Sequence, residues 1–124
     1  MPRALYREIL RAAQARIASH WGRASDPADA NALAESVGAW PAFADTRTAL
    51  ARLHRWYKLV VVSNVDRASF ARTERQLGVT FDAVVTAEEA GAYKPDLRIF
   101  RRALEVLSEL SVRTEEVLHV AQSL

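Results

Sequence analysis

Two short stretches carry the residues whose types and placement suit chemistry. The first is VVVSNVD, where an apolar, β-branched run ends in Ser63, Asn64 and Asp66. Ser63 offers a hydroxyl and Asn64 an amide, and the backbone N–H groups ahead of the following helix make a cradle for an anion. The same residue types cap helices and form turns, so this stretch alone leaves both readings open. The second is TAEEAGAYKPD, which sets Lys94 before a proline, 31 positions beyond Ser63. The pre-proline position favours an extended backbone, and Asp96 can cap the helix that follows. A lysine in a loop is ordinarily just solvated. One held at the mouth of a sheet can neutralise a carboxylate nucleophile or grip an anionic substrate.

These stretches acquire meaning from the elements around them. Leu59 to Val62 is a continuous apolar run suited to a strand buried on both faces, and a second strand is predicted around Phe81 to Thr86. Between them a helix starts near Asp66, carries Phe70 and Leu77, and closes at Gly78. A helix from Asp96 to Leu110 presents Phe100, Ala103, Leu104, Leu107 and Leu110, and Val117 to Ala121 reads as a third strand containing a packed His119. Upstream, Asp45 caps a helix with Ala49, Leu50, Leu53 and Tyr57 on one side. Alternating helices and strands predict βαβ crossovers and a parallel sheet, with Ser63 and Lys94 at its carboxyl edge.

The chain begins differently. Leu5, Ile9, Ala13, Ile17 and Trp21 recur every four residues, predicting a helix from Pro2 to Trp21 that exits through Gly22. A turn and a short helix follow, capped by Asp26 ahead of Pro27. Trp40, Pro41 and Phe43 form an apolar elbow, and the boundary between a helical part, 1–43, and an α/β part, 44–124, is set there.

Composition narrows the function classes. Half of the 124 residues are hydrophobic, as a packed core requires, and no apolar run reaches the length of a membrane span. There is no cysteine for disulfides or thiolate metal sites, and no secretory signal, so a cytoplasmic location is expected. Of seventeen basic residues only Lys58 and Lys94 are lysine. The arginines are spread along helices among Glu and Ala, which speaks against nucleic acid as a partner. His20, His54 and His119 are scattered without metal-ligand spacing, and the three tryptophans, Trp21, Trp40 and Trp56, suit a core or an interface between parts.

VVVSNVD followed by YKPD resembles the second and third motifs of haloacid dehalogenase-type hydrolases. SVGAWPAFADTRTALARLHRWYKLVVVSNVD and TAEEAGAYKPD resemble more narrowly the L-2-haloacid dehalogenase-like branch, and EEVLHVAQSL resembles the strand leading to the fourth motif. The resemblance runs from about residue 36 to 124 and implies an incomplete Rossmann-like three-layer core with the end of an all-helical cap at residues 1–43. It implies that Ser63 binds the substrate's anionic group or developing oxyanion, with Asn64 beside it, and that Lys94 keeps a nucleophilic aspartate ionised. It further implies hydrolysis of a small 2-haloacid through an aspartyl ester.

Three departures from the family pattern shape the expectations. Phe100 stands in the substrate-binding position where the dehalogenase branch often has a hydroxyl-bearing aromatic. No Asp in residues 1–44 follows a buried apolar strand, so the nucleophile strand and the C-terminal strands are expected to be missing and the chain inactive alone. Ala121, Gln122 and Ser123 stand where phosphatase branches carry acidic ligands, and Gln122 is a poor ligand for a hard cation. No cofactor or metal is therefore expected, with Mg2+ entering only under a phosphomonoester hydrolase alternative. A small anionic substrate is the expected partner. A homo-oligomer and a non-catalytic binding module remain open.

Overall fold

The structure, a computed structural model, describes residues 4–122. In chain order the elements are α1 (Tyr6–His20), α2 (Pro27–Ser36), a 3₁₀ turn (Val37–Ala39), α3 (Thr46–Leu53), β1 (Val60–Ser63), α4 (Arg67–Leu77), β2 (Ala83–Thr86), α5 (Ala87–Ala90), α6 (Leu97–Glu109) and a second 3₁₀ turn (Thr114–Glu116).

Capping chemistry sets most helix starts. Asp26 accepts the N–H of Ala28 at 2.8 Å, Asp66 that of Ser69 at 3.1 Å, and Asp96 that of Arg98 at 2.9 Å. Asp45 stands at the head of α3 but makes no side-chain cap bond. Gly22 and Gly78, at φ of 66° and 61°, end α1 and α4 in the left-handed conformation that glycine adopts without steric cost.

β1 and β2 pair in parallel, Val60 opposite Ala83 through Ser63 opposite Thr86. Helix α6 packs on both strands. The core is Val85, Ala87, Ile99, Ala103 and Val106, with Val62, Tyr93 and Phe100 packed around it. On the other side, α1 lies along α2, and the turn at Val37–Ala39 rests on α4. Gly38 allows that approach, since a Cβ there would stand 2.5 Å from the Arg72 side chain.

Five expectations are corrected. Residues 117–121 form no strand: they are exposed and without ladder bonds, because the described sheet contains no strand beside them to pair with. His119 is accordingly exposed, its ring meeting Phe100 edge-on at 5.8 Å, instead of packed in a strand. In α6 the buried face runs through Ile99, Ala103 and Val106, while Leu104 is exposed. The apolar face of α6 is single but broad, and Leu97 and Leu104 fall at its margin, away from the strands. Trp21, Trp40 and Trp56 are exposed, as are Leu53 and Tyr57, and neither α1 nor α3 buries a single residue completely. β1 is only half-buried, since one of its edges has no neighbouring strand among the described residues.

Candidate active site

At the carboxyl edge of the sheet the loops after β1 and β2 are tied together. Asn64 Oδ1 accepts the backbone N–H of Lys94 at 2.7 Å, and its Nδ2 donates to the Lys94 carbonyl at 3.5 Å. The Lys94 ammonium turns back and donates to the carbonyl of Val62 at 2.8 Å. Ser63 Oγ accepts the N–H of Val65 at 3.2 Å, which leaves its own proton free to be donated. Ser63, Asn64 and Lys94 therefore meet at one edge, as the crossover argument requires, with Lys94 exposed.

The neighbouring carboxylates are already engaged. Asp66 is buried and binds both the N–H and the hydroxyl of Ser69. Glu88 accepts the N–H of Arg67, so the start of α4 is capped from α5 and is not an empty anion cradle. Asp96 is gripped by Arg98, whose side chain, followed by its backbone N–H, lowers the Asp96 carboxyl to about 2. Among the described residues no carboxylate pairs with Lys94. Nor does any group of three or more His, Cys, Asp or Glu stand close enough to hold a metal ion.

Beside Ser63 opens a cleft of about 270 Å³ between the helical part and α4, lined by Tyr6, Val37, Trp40, Ser63, Phe70 and Leu77 among others. Its wall is largely apolar, which suits a short carbon tail next to an anion-binding hydroxyl. Trp40 is fixed there by its Nε1, which donates to Ser36 Oγ at 2.9 Å. A larger hollow of about 410 Å³ lies between the end of α6 and the second 3₁₀ turn and includes none of these site residues. Phe100 sits on the core side of α6, partly buried, and lines neither space.

Three features escaped the sequence. The Val62 carbonyl that receives the Lys94 ammonium is a backbone group with no signature. The cleft's Tyr6 and Trp40 come from residues remote in sequence from Ser63. His54 does have an acidic neighbour, Asp82 Oδ2 at 3.0 Å, 28 positions away. Asp82 also accepts the N–H of Leu59 at 2.7 Å, and this bond chiefly holds its carboxyl below the usual carboxylate range.

Comparison with known proteins gives this edge a context. Residues 3–121 match the haloacid dehalogenase-like hydrolase family. Among curated proteins no sequence matches the chain. The crystal structure of an L-2-haloacid dehalogenase is similar at a TM-score of 0.79 and 24% identity, over 94% of this chain and 50% of that one. The L-2-haloacid dehalogenase of Xanthobacter autotrophicus with chloropropionic acid covalently bound is similar at 0.75 and 23% identity, over 85% and 43%. The chain thus spans about half the length of the solved structures it resembles, and shares their fold over that half. With its mixed helices, parallel strands and matched residues, the chain belongs to the haloacid dehalogenase-like hydrolase family.

Proposed function

We propose that the chain supplies the anion-holding edge of a hydrolytic dehalogenase acting on small 2-haloacids. The observation that carries this reading is the meeting of Ser63 and Lys94 at one sheet edge beside an apolar cleft. In the reaction, a carboxylate attacks the halogen-bearing carbon, halide leaves with the bonding electrons, and water then hydrolyses the ester. Ser63 donates to the substrate carboxylate, and the Lys94 ammonium stabilises the attacking and bound anions. The Phe100 ring contributes packing behind the edge instead of a hydrogen bond.

The attacking carboxylate is not found at Lys94 among the described residues, and Ser63 has no histidine or other base bonded to its hydroxyl. This favours a second reading, in which the chain alone is an anion-binding module. Halide release from 2-chloropropionate, and p-nitrophenyl phosphate turnover with Mg2+, test both readings against a Lys94→Ala control. The expected result is no turnover above background with either substrate. Halide release that vanishes in Lys94→Ala would mean that this chain holds its own nucleophile. Phosphate ester turnover that needs Mg2+ would move the assignment to a phosphomonoester hydrolase.

A further inference from the structure

We infer that Glu88 is a specificity-determining residue, whose carboxylate, seated on the start of α4, restricts the site edge to singly charged anions and turns away phosphate dianions. The inference rests on the reading of Ser63 and Lys94 as the anion-holding edge. The start of a helix presents free N–H groups and a partial positive charge, a ready seat for a phosphate. Here α4 opens three residues after Asn64, and that seat is taken. Glu88 Oε2 accepts the N–H of Arg67 at 3.0 Å, and Asp66 takes the N–H and the hydroxyl of Ser69 with its two oxygens. Glu88 is aimed there by its own element. Thr86, fully buried at the end of β2, accepts the N–H of Glu89 on its Oγ1 at 3.2 Å and so fixes the turn that carries Glu88. The same carboxylates bear on the lysine loop. Tyr93, the residue before Lys94, has its phenol pushed up, first by burial and then by the charges of Asp66 and Glu8, with Glu88 adding to them. The guanidinium groups of the two loops are engaged by carboxylates, Arg67 with Glu89 at 3.3 Å and Arg98 with Asp96 at 2.9 Å. The Lys94 ammonium can balance one negative charge on a ligand. A second charge is repelled by Glu88.

Calorimetric titrations of the whole chain test this with two ligands: 2-chloropropionate, a monoanion, and methyl phosphate, a dianion at a pH of about 8. The wild type should bind 2-chloropropionate more tightly. Glu88→Gln keeps an oxygen for the Arg67 N–H and removes the charge. Coulomb energy scales with the product of the charges, so the factor gained by a monoanion is squared for a dianion. A gain of about threefold for 2-chloropropionate should go with about tenfold for methyl phosphate. Glu115→Gln makes the same change in net charge beyond the far end of α6, and it should leave the ratio of the two affinities as in the wild type. Equal gains for both ligands in Glu88→Gln, or as large a shift of the ratio in Glu115→Gln, overturns the inference. If Glu88→Gln fails to fold, the wild type decides: tighter binding of methyl phosphate overturns the inference, and tighter binding of 2-chloropropionate supports it. The inference and the functional reading fail separately. A wild type that binds 2-chloropropionate, with a ratio unmoved in Glu88→Gln, leaves the anion edge standing and sinks the role of Glu88. A wild type that binds neither ligand, while Glu88→Gln takes up methyl phosphate, keeps the role of Glu88 and sinks the dehalogenase reading. Binding by none of the chains sinks both.

Discussion

The two halves of the molecule are held by different physics. Around the sheet, Val85, Thr86 and Ile99 are fully buried, and α6 closes over both strands. In the helical half α1 buries no residue completely, and its Ile17 and Trp21 face outward. That half buries only small or medium side chains, Ala30, Ala34 and Val37, and adds polar contacts such as Arg11 Nε to Asn31 at 2.6 Å and the Arg11 and Arg72 ion pairs with Glu35 at 3.6 and 3.4 Å. Exposed pairs of this kind contribute roughly 0–1 kcal/mol each, whereas a buried aliphatic side chain contributes a few. The site edge belongs to the buried half, while one wall of the cleft belongs to the other. Lys94 should therefore stay placed under conditions that loosen the cleft.

The contrast can be broken by substitution. Ile99→Ala opens a cavity in the core and should cost about 2–5 kcal/mol, against about 0.5 kcal/mol or less for Ile17→Ala on the exposed face of α1. Urea unfolding of both variants checks this, and equal losses would dissolve the distinction between halves. Next in size, Gly38→Ala should cost about 1–3 kcal/mol, because the added methyl meets the Arg72 side chain at 2.5 Å and wedges the turn off α4. Its urea unfolding midpoint should fall, and a midpoint equal to that of the wild type would show that the turn is not packed on α4 this tightly.

A smaller effect concerns pH. Asp82 accepts the Leu59 N–H, which lowers its carboxyl, with His54 and Lys58 adding attraction. Its folded value lies below its unfolded one, so its contribution is complete above pH of about 4 and fades as pH falls through the folded value. The stability gap between wild type and Asp82→Asn, measured by urea midpoints, should therefore be present at pH 7 and narrow at pH 3. A gap that widens on acidification would contradict the assigned bond.

The α/β half was the more legible in sequence, and for a physical reason. Asp66, Gly78 and Asp96 act within a few residues of themselves, so caps and exits could be read directly. The run at Val60–Ser63 is apolar and β-branched, and it found its parallel neighbour in β2. The meeting of Ser63 with Lys94 followed from the crossover rule. Residues 117–121 show the limit of such reasoning: an apolar, β-branched run becomes a strand only where a neighbour accepts its hydrogen bonds. The apolar stripes of α1 and α3 likewise predict faces that seek cover, but a stripe does not say what covers it. The link from Asn64 to Lys94 was illegible for another reason: the two residues lie 30 positions apart, and only the folded chain brings the amide to the backbone of residue 94.

The central claim is that Ser63 and Lys94 together hold a small carboxylate. Calorimetric titration of the purified chain with 2-chloropropionate tests it directly, in wild type, Ser63→Ala and Lys94→Ala. Because Asn64 bonds the backbone of residue 94, Lys94→Ala removes the ammonium without freeing the loop. Saturable binding is expected in the wild type, weakened about tenfold or more in Lys94→Ala and by a smaller factor in Ser63→Ala, as loss of a charged and of a neutral hydrogen bond requires. Equal affinity in all three chains, or no binding to the wild type, would contradict the account.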